Sequence, residues 1–463
     1  MLIICAGMMR SGSTVQYQIV CEIIESLGLG MTMGWTKIPS QELLDNLQNV
    51  VLRKDKFLVI KSHNFCSEVK ALVRADKAKV VYVYRDLRDV AVSLNNKFTK
   101  STEDAILWLG DRLNNYYFWA SIDKIMVSRY ENMANDLYGE VLKIANYLEV
   151  KVNSDLARTI SNKLEISQQK QRTKELEHSS HVIKSSENDV CDPVSQLHNN
   201  HINSGKWGQW KESLSKEQIE HIESWAFSWF VDRNYPLSTF KKDETKTAIE
   251  HFKSARKFKQ DGKLAEAANS YRQAIILSPR SSLYQYNLGE VLLKLGKTDY
   301  AINAYRHAVY LNPDSALSHQ GLGVALSKLQ KWDEAIAAYQ EAIKLNPKSA
   351  SFYYNLADAF LQQGNLDEAI AHYSKAIEIK PSFSIGHNSL GEALAKQGKL
   401  VEAIGCFRKA VALNSNYFRA CRNSAELLAE KGQLEEAVSF YEQALKINPS
   451  YQTTNLKLQE GIK

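Results

Sequence analysis

Residues 2–14 read LIICAGMMRSGST, an apolar run that passes directly into a glycine-bounded loop. Residues 15–26 follow with a helical pattern of apolar side chains. A buried strand that ends in such a loop before a helix is typical of a phosphate site, because backbone N–H groups and the positive end of the helix dipole converge on one anion. The stretch therefore predicts an α/β domain with a P-loop-type parallel sheet and an anion site at its first turn.

The loop departs from nucleotide-hydrolysing P-loops at one position. Those loops follow the pattern G-x4-G-K-[ST], and Ser13 stands here in place of the lysine that reaches the β- and γ-phosphates. A basic residue, Arg10, lies two positions before the second glycine, Gly12. The pattern argues against ordinary ATP or GTP hydrolysis. It favours a loop that holds a terminal phosphate while a cation contacts the group attached to it.

Two further apolar runs, residues 57–60 and 79–84, predict buried parallel strands, and each is followed at once by polar side chains. In open parallel sheets, ligands bind outside the carboxyl ends of the strands. The side chains expected at this one edge are Arg10, Lys61, His63, Arg85 and Ser93.

The first three motifs resemble those of the sulfotransferases that use 3′-phosphoadenosine 5′-phosphosulfate (PAPS). Residues 10–14 (RSGST) resemble the family's loop around the 5′-phosphosulfate. Residues 61–63 (KSH) are similar to the segment whose histidine is the catalytic base. Residues 84–93 (YRDLRDVAVS) resemble the segment whose arginine and serine contact the 3′-phosphate.

Two later motifs extend the resemblance to residues 1–235. Residues 127–132 (VSRYEN) resemble the family's strand that ends in R-Y-E, and residues 204–210 (SGKWGQW) its closing K-G-x-x-G-x-W loop. The five motifs follow one another in the family's order, and this order is more specific than any one motif.

The resemblance implies a site and a reaction. It implies that the catalytic residues are His63, as general base, with Lys61 and Arg10. It implies that the residues that bind the co-substrate PAPS are Arg10, Ser11, Gly12, Ser13, Thr14, Arg85, Ser93, Tyr130, Gly205 and Lys206. The reaction would transfer a sulfuryl group to a hydroxyl acceptor. A histidine is suited to the base, since its ordinary pKa lies near neutral pH. No metal is needed, and the sequence shows no ligand cluster of metal-site spacing.

This chain departs from the family pattern at three places. Met9 replaces the usual proline before the basic residue. Val15 stands where animal cytosolic members carry a tryptophan that stacks on adenine, so the residue that stacks on adenine is open. Asn203 and Ser204 occupy the positions of an arginine and a lysine in the closing loop.

From residue 248 onward the chain repeats every 34 residues, the period of tetratricopeptide repeats (TPRs). Prolines recur at this spacing at Pro279, Pro313, Pro347, Pro381 and Pro449. Ser415 stands at the one position of this series that has no proline. Each unit has a small residue at positions 8, 20 and 27 and an aromatic residue at position 24. Small residues permit close helix approach, and the aromatic ring fills the space between units. The sequence therefore predicts an all-α solenoid with a concave groove for a protein or peptide.

The predicted domain organisation follows from these two patterns. It consists of a sulfotransferase domain at 1–240, a linker at 241–247, repeats at 248–281, 282–315, 316–349, 350–383, 384–417 and 418–451, and a capping tail at 452–463.

Composition limits the setting and the partners. The six cysteines have no paired spacing, which favours a reducing cytoplasm over a disulfide framework. The apolar start is too short for a membrane-spanning helix and lacks the basic n-region of a signal peptide, so no transmembrane segment is expected. The net charge of +6 falls in the repeats, and nothing indicates a nucleic-acid module.

Two other functions remain open at this point. One is a TPR scaffold whose first domain binds an adenosine nucleotide without catalysis. The other is a nucleotide or small-molecule kinase with a degenerate P-loop. The acceptor is also open, because protein tyrosine, polysaccharide, lipid and small molecules all carry suitable hydroxyl groups.

Overall fold

The structure is a computed structural model of the chain. The residues that it describes are 1–7, 13–35, 57–62, 67–98, 102–165, 167–169, 171, 183–186, 189–191, 207–240, 242–243 and 246–451. Contacts divide the chain into two compact units, Met1–Lys241 and Lys242–Lys463.

A parallel sheet forms the centre of the first unit. Its strands, in the described part of the chain, are β1 (Leu2–Gly7), β2 (Gly30–Trp35), β3 (Phe57–Lys61), β4 (Ala78–Tyr84) and β5 (Met126–Arg129). Their order across the sheet is β2-β3-β1-β4-β5, and all neighbouring pairs are parallel. β1 is therefore central, and consecutive strands are added first on one side of it and then on the other. In such sheets the point of reversal is where ligands bind. The predicted P-loop-type α/β architecture is confirmed.

Helices cover both faces of the sheet. Among the described residues of the first unit, these helices are α1 (Ser13–Ser26), α2 (Ser67–Arg74), α3 (Leu87–Phe98), α4 (Thr102–Ala120), α5 (Tyr130–Asn135), α6 (Leu137–Leu148), α7 (Ser154–Leu164), α8 (Trp210–Ser213), α9 (Lys216–Trp225) and α10 (Phe227–Asp232). α1, α6 and α7 pack on one face, where Ile3 and Val81 meet Ile23 in a fully buried cluster. On the other face the Tyr82 ring lies 6.4 Å from the Trp119 ring of α4. Burial on both faces explains why β1 is a continuous apolar run. A separate antiparallel pair consists of β6 (Ile183–Ser186) and β7 (Asp189–Cys191).

The second unit is built of helix pairs. Its helices, within the uninterrupted described stretch 246–451, are α11 (Ala248–Gln260), α12 (Leu264–Leu277), α13 (Ser282–Lys294), α14 (Thr298–Leu311), α15 (Ala316–Lys328), α16 (Trp332–Leu345), α17 (Ala350–Gln362), α18 (Leu366–Ile379), α19 (Ser384–Lys396), α20 (Leu400–Leu413), α21 (Phe418–Glu430) and α22 (Leu434–Ile447). Each helix begins 34 residues after its equivalent in the preceding pair. The linker at 241–247 and the exact limits of each repeat stay predictions, and the predicted capping tail at 452–463 lies outside the described residues.

Small residues and aromatic rings hold each helix pair together. A Cβ atom added to Gly323 of α15 would lie 2.5 Å from Cε1 of Tyr339 on α16, so no side chain fits there. Gly391 meets Phe407 in the same way two repeats later. Tyr339 and Phe407 are themselves buried. Position 8 thus contacts position 24 of the same repeat, a pairing that the sequence pattern did not predict. The ring of Tyr305 also packs against Gly321 of the next repeat, so the aromatic residue fills space between units as predicted.

We predict opposite effects for the same substitution at two helical glycines. Gly323→Ala should destabilise the protein by about 1–2 kcal/mol, because the methyl group overpacks the Tyr339 contact. Gly405→Ala should stabilise it by up to about 1 kcal/mol, because Gly405 is exposed and has nothing within 4 Å of its added Cβ. Urea denaturation followed by circular dichroism measures both changes. Effects of the same sign would contradict this account of the helix contacts.

Candidate active site

The first turn after β1 leaves no room for a side chain. A Cβ atom on Gly7 would lie 2.9 Å from the carbonyl oxygen of Val83 and 3.0 Å from Cβ of Ser13. The end of β1 therefore packs against β4 and against the start of α1 at once. Ser13 and Thr14, both buried, form the first turn of α1. The N–H groups of a first helical turn have no acceptor within the helix, and the helix dipole is positive there.

Lys61 brings a positive charge to the start of α1. It is the last residue of β3 and pairs with Cys5 in the parallel register of β1 and β3. Its Nζ lies 2.6 Å from Oγ1 of Thr14, and its side chain is 3% exposed. The loop after β1 lacks the P-loop lysine at Ser13. A lysine from the neighbouring strand thus supplies a cation beside that helix start, which suits the binding of an oxyanion.

Arg85 lies at the same edge of the sheet, on the other side of β1. It directly follows β4, whose Val83 pairs with Gly7, and it is 9% exposed. Its guanidinium lies 4.6 Å from the ring centroid of Tyr130, the first residue of α5. Burial raises the pKa of the Tyr130 hydroxyl, so this group stays neutral, while the Arg85 charge acts in the opposite direction.

Asp89, which is not among the predicted site residues, is a buried carboxylate. Its Oδ2 lies 3.7 Å from Nη2 of Arg85, one helical turn away. It also accepts hydrogen bonds from the backbone N–H groups of Gly208, at 2.6 Å, and Trp210, at 3.2 Å. The first turns of α3 therefore hold the described part of the closing loop. Ser93, half-buried, lies one turn further along α3.

Arg88 completes the anchor of this segment from inside the protein. It is fully buried, and its guanidinium lies 3.8 Å from the ring of Trp210. Asp86 accepts from it at 2.7 Å and Glu223 at 2.5 Å. Glu223 also accepts from the backbone N–H groups of residues 238 and 239. Burial pushes the pKa of Glu223 upward, yet the hydrogen bonds from these two residues outweigh it and hold that pKa below its ordinary value.

A cavity lies where α5, α6 and α7 meet. Its volume of about 620 Å³ is in the usual range for a small-molecule site. Asn135, Arg158 and Glu165 are among its polar lining residues. The half-exposed Trp207 donates from Nε1 to Oδ1 of Asn135 at 3.4 Å, so the closing segment reaches the rim of this cavity.

The structure thus brings some of the predicted site residues together. Lys61 contacts Thr14, and Arg85 contacts Tyr130, at the ends of adjacent strands. The predicted site residues that lie outside the described residues are Arg10, Ser11, Gly12, His63, Gly205 and Lys206. Among the described residues, no group of three or more His, Cys, Asp or Glu side chains could hold a metal ion. None of the described helices is long and apolar enough to cross a membrane.

Residues 2–232 match the family model of the sulfotransferase domain. The N-terminal region is a sulfotransferase domain. Residues 321–382 and 388–451 match a model of the tetratricopeptide repeat, and further TPR models match residues 255–296 and 282–315. The resemblance of the two halves to these two families is therefore confirmed.

A curated relative of the sulfotransferase domain is the amine sulfotransferase of Oryctolagus cuniculus. The two proteins are 23% identical over 173 residues, which are 33% of this chain and 54% of the relative. The chain thus spans about half the length of that relative.

Among solved structures, the chain is similar to several TPR proteins. YrrB, described as a TPR protein with an unusual peptide-binding site, is 19% identical, with 42% of this chain and 98% of that chain covered and a TM-score of 0.35. MamA is 30% identical, with 35% of this chain and 94% of that chain covered and a TM-score of 0.34. The pilF protein of Pseudomonas aeruginosa is 19% identical, with 46% of this chain and 95% of that chain covered and a TM-score of 0.40. The assignment of the repeats rests on the family models and the helix pattern, not on these similarities.

We predict a pH-dependent loss of stability for Glu223→Gln in the sulfotransferase domain. At neutral pH the variant should be less stable by about 2–4 kcal/mol, because Arg88 loses one of its buried charged partners. The folded pKa of Glu223 is lowered, so its stabilising effect is complete above the unfolded glutamate pKa of about 4.3 and disappears as the pH falls through the lower folded value. Urea denaturation from pH 7 to pH 3 should therefore show the two proteins converging.

The matched control is Glu149→Gln, which removes a carboxylate that pairs with Lys79 at the surface. It should change the stability by at most about 1 kcal/mol. A difference between wild type and Glu223→Gln that persists unchanged at pH 3 would contradict the assignment of a charged Glu223.

Proposed function

We propose that the chain is a sulfotransferase that moves a sulfuryl group from PAPS to a hydroxyl acceptor, with the TPRs binding a protein partner or acceptor. The observation that carries the proposal is the contact between Lys61 and Thr14 at the start of α1. It lies at the edge of the sheet where Arg85 also lies against Tyr130.

Two separate sources of positive charge support a donor with two anionic groups. The start of α1 and Lys61 suit the 5′-phosphosulfate, because both offer N–H donors to phosphate and sulfate oxygens. Arg85, beyond the end of β4, suits the 3′-phosphate, with Ser93 and Tyr130 near it and Gly205 and Lys206 in the closing loop. ATP carries all of its phosphates on the 5′ oxygen of the ribose, so it would offer no 3′-phosphate to Arg85. The site therefore favours PAPS over ATP.

The proposed reaction needs positioning, charge stabilisation and one proton transfer. The acceptor oxygen forms a bond to sulfur while the bond from sulfur to the 5′-phosphate oxygen breaks, and adenosine 3′,5′-bisphosphate leaves. His63 takes the proton of the acceptor hydroxyl, which is worth about 10²–10⁴-fold in rate for a general base. Lys61 and Arg10 stabilise the charge that develops on the phosphate oxygens of the leaving group.

We predict that His63→Ala retains donor binding and loses sulfuryl transfer. The assay incubates the full chain with ³⁵S-labelled PAPS and host-cell lysate and then sorts the label into protein, glycan and lipid fractions. Transfer should fall by about 10²-fold or more, because no base remains for the acceptor proton. His221→Ala, which removes an exposed histidine of α9, is the matched control and should transfer normally.

Measurements of nucleotide binding and of ATP turnover, made beside this assay, separate the two other functions. Binding of adenosine 3′,5′-bisphosphate with no transfer by the wild type to any fraction would favour the non-catalytic scaffold. Magnesium-dependent turnover of ATP would favour the degenerate kinase. Equal transfer by wild type and His63→Ala would contradict the proposed base.

The first helices of the repeats support a partner site in the second unit. First helices of neighbouring repeats contact one another, for example α13 with α15, which places them along one side of the array. Ile249, Leu283 and Leu317 occupy the same position on three consecutive first helices, and each is more than half exposed. Exposed apolar residues that recur in one row are typical of an interaction surface. We propose that the partner binds along this row.

We predict that the double variant Leu283→Asp/Leu317→Asp loses its cellular partner. Affinity capture followed by mass spectrometry should show the loss of a protein that the wild type retains, since two charges in the row are costly to bury. Val401→Asp is the control, because Val401 is 77% exposed on α20, a second helix. A partner that the double variant retains as well as wild type would contradict the proposed surface.

The setting is proposed to be the cytoplasm. In the described part of the chain, the cysteines at positions 5, 21, 406 and 421 are free thiols, which suits a reducing compartment.

A further inference from the structure

We propose that Asp89 is a positioning residue that couples Arg85 to the closing loop and so sets the preference for a 3′-phosphorylated nucleotide. The inference rests on the proposed function, because it assumes that Arg85 and the closing loop both contact the 3′-phosphate. The buried carboxylate of Asp89 would hold Arg85 and the closing loop in position relative to each other.

The contacts of Asp89 join two segments that are far apart in sequence. Oδ2 accepts from the N–H group of Gly208 and Oδ1 from that of Trp210, so both carboxylate oxygens hold the segment at residues 207–210. The carboxylate is 3% exposed. Hydrogen bonds to a buried, charged acceptor are among the stronger ones in proteins, and leaving such N–H groups without an acceptor is costly. Asp89 therefore fixes where this segment lies on α3.

The same carboxylate acts on Arg85 through charge. Its Oδ2 is 3.7 Å from Nη2 of Arg85, which is beyond hydrogen-bond distance but close enough for a strong attraction in a buried setting. The Tyr130 ring lies against the guanidinium, at 4.6 Å from its centroid. Together the carboxylate and the ring restrict where the guanidinium can lie.

The anchor lies close in sequence to the proposed donor contacts of the closing loop. Gly205 and Lys206 precede Gly208 by three and two residues. Gly208 has a φ of +80°, a conformation that favours glycine, so the chain turns at the anchored residue. The Arg88 guanidinium lies 3.8 Å from the ring centroid of Trp210 and so contacts the same segment. Asp89 thus holds residues 207–210, the described end of the closing loop, next to Arg85.

The test measures a ratio of two affinities by calorimetry with the full chain. The probes are adenosine 3′,5′-bisphosphate and adenosine 5′-phosphate, which differ only in the 3′-phosphate. For wild type the bisphosphate should bind at least about 100-fold more tightly, and Arg85→Met should remove most of that preference. In Asp89→Ala the preference should fall by about 10–30-fold, with the affinity for the monophosphate changed by less than about threefold.

Asp89→Asn and Asn153→Ala separate positioning from a structural role. The asparagine keeps one acceptor oxygen, so it should retain part of the preference, with a fall of about 3–10-fold. Asn153 accepts a hydrogen bond from the N–H group of Leu156 at the start of α7. Its replacement by alanine removes a comparable hold on the backbone and lowers Tm, yet it should leave the affinity ratio unchanged. Asp89→Asn decides the question if Asp89→Ala does not fold.

The outcomes distinguish the inference from the function on which it rests. A wild type that binds the two probes equally overturns the proposed function, and the role of Asp89 with it. A wild type with the expected preference, together with an Asp89→Asn variant of equal or greater preference, overturns the inference alone. That result would mean that Asp89 restrains Arg85 instead of aligning it.

Discussion

The carboxyl ends of parallel strands meet at one edge of the sheet, and the first unit depends on how tightly that edge is packed around the end of β1. Gly7 contacts β4 and the start of α1 at distances that admit no side chain. β1 is therefore held directly between β3 and β4, and residues that follow these strands come to neighbouring positions. For this reason Lys61 contacts Thr14. Arg85 lies two residues after Val83, the residue of β4 that pairs with Gly7.

The charged side chains at this edge of the sheet come from different parts of the chain. The loop after β1 has no lysine at Ser13, and the cation beside α1 comes from the neighbouring strand instead. On the other side of β1, Arg85 is surrounded by Asp89 and Tyr130, and Asp89 also holds residues 207–210. Arg88, paired with Asp86 and Glu223, buries its charge beneath this segment. A buried arginine of this kind is stable only with its partners in place.

Sequence alone predicted the parts of the structure whose signal is local. The continuous apolar runs of β1, β3 and β4 indicate strands with both faces covered, and the 34-residue period indicates the helix pairs. β2, with the sequence GMTMGW, has no such run and was not predicted. The role of Asp89 could not be predicted either, because it depends on contacts with Gly208 and Trp210, which lie 119 and 121 positions further along the sequence. The same holds for Glu223, which meets Arg88 across 135 positions. Side chains that follow a strand can be read from sequence, whereas those that support them depend on the fold.

We propose that one edge of the sulfotransferase domain binds a doubly phosphorylated adenosine. A crystal structure of the full chain with adenosine 3′,5′-bisphosphate tests it most directly. We expect the 5′-phosphate at the start of α1, with an oxygen about 3 Å from Nζ of Lys61, and the 3′-phosphate on the guanidinium of Arg85. A nucleotide bound elsewhere, or bound at this edge with its 3′-phosphate away from Arg85, would contradict it.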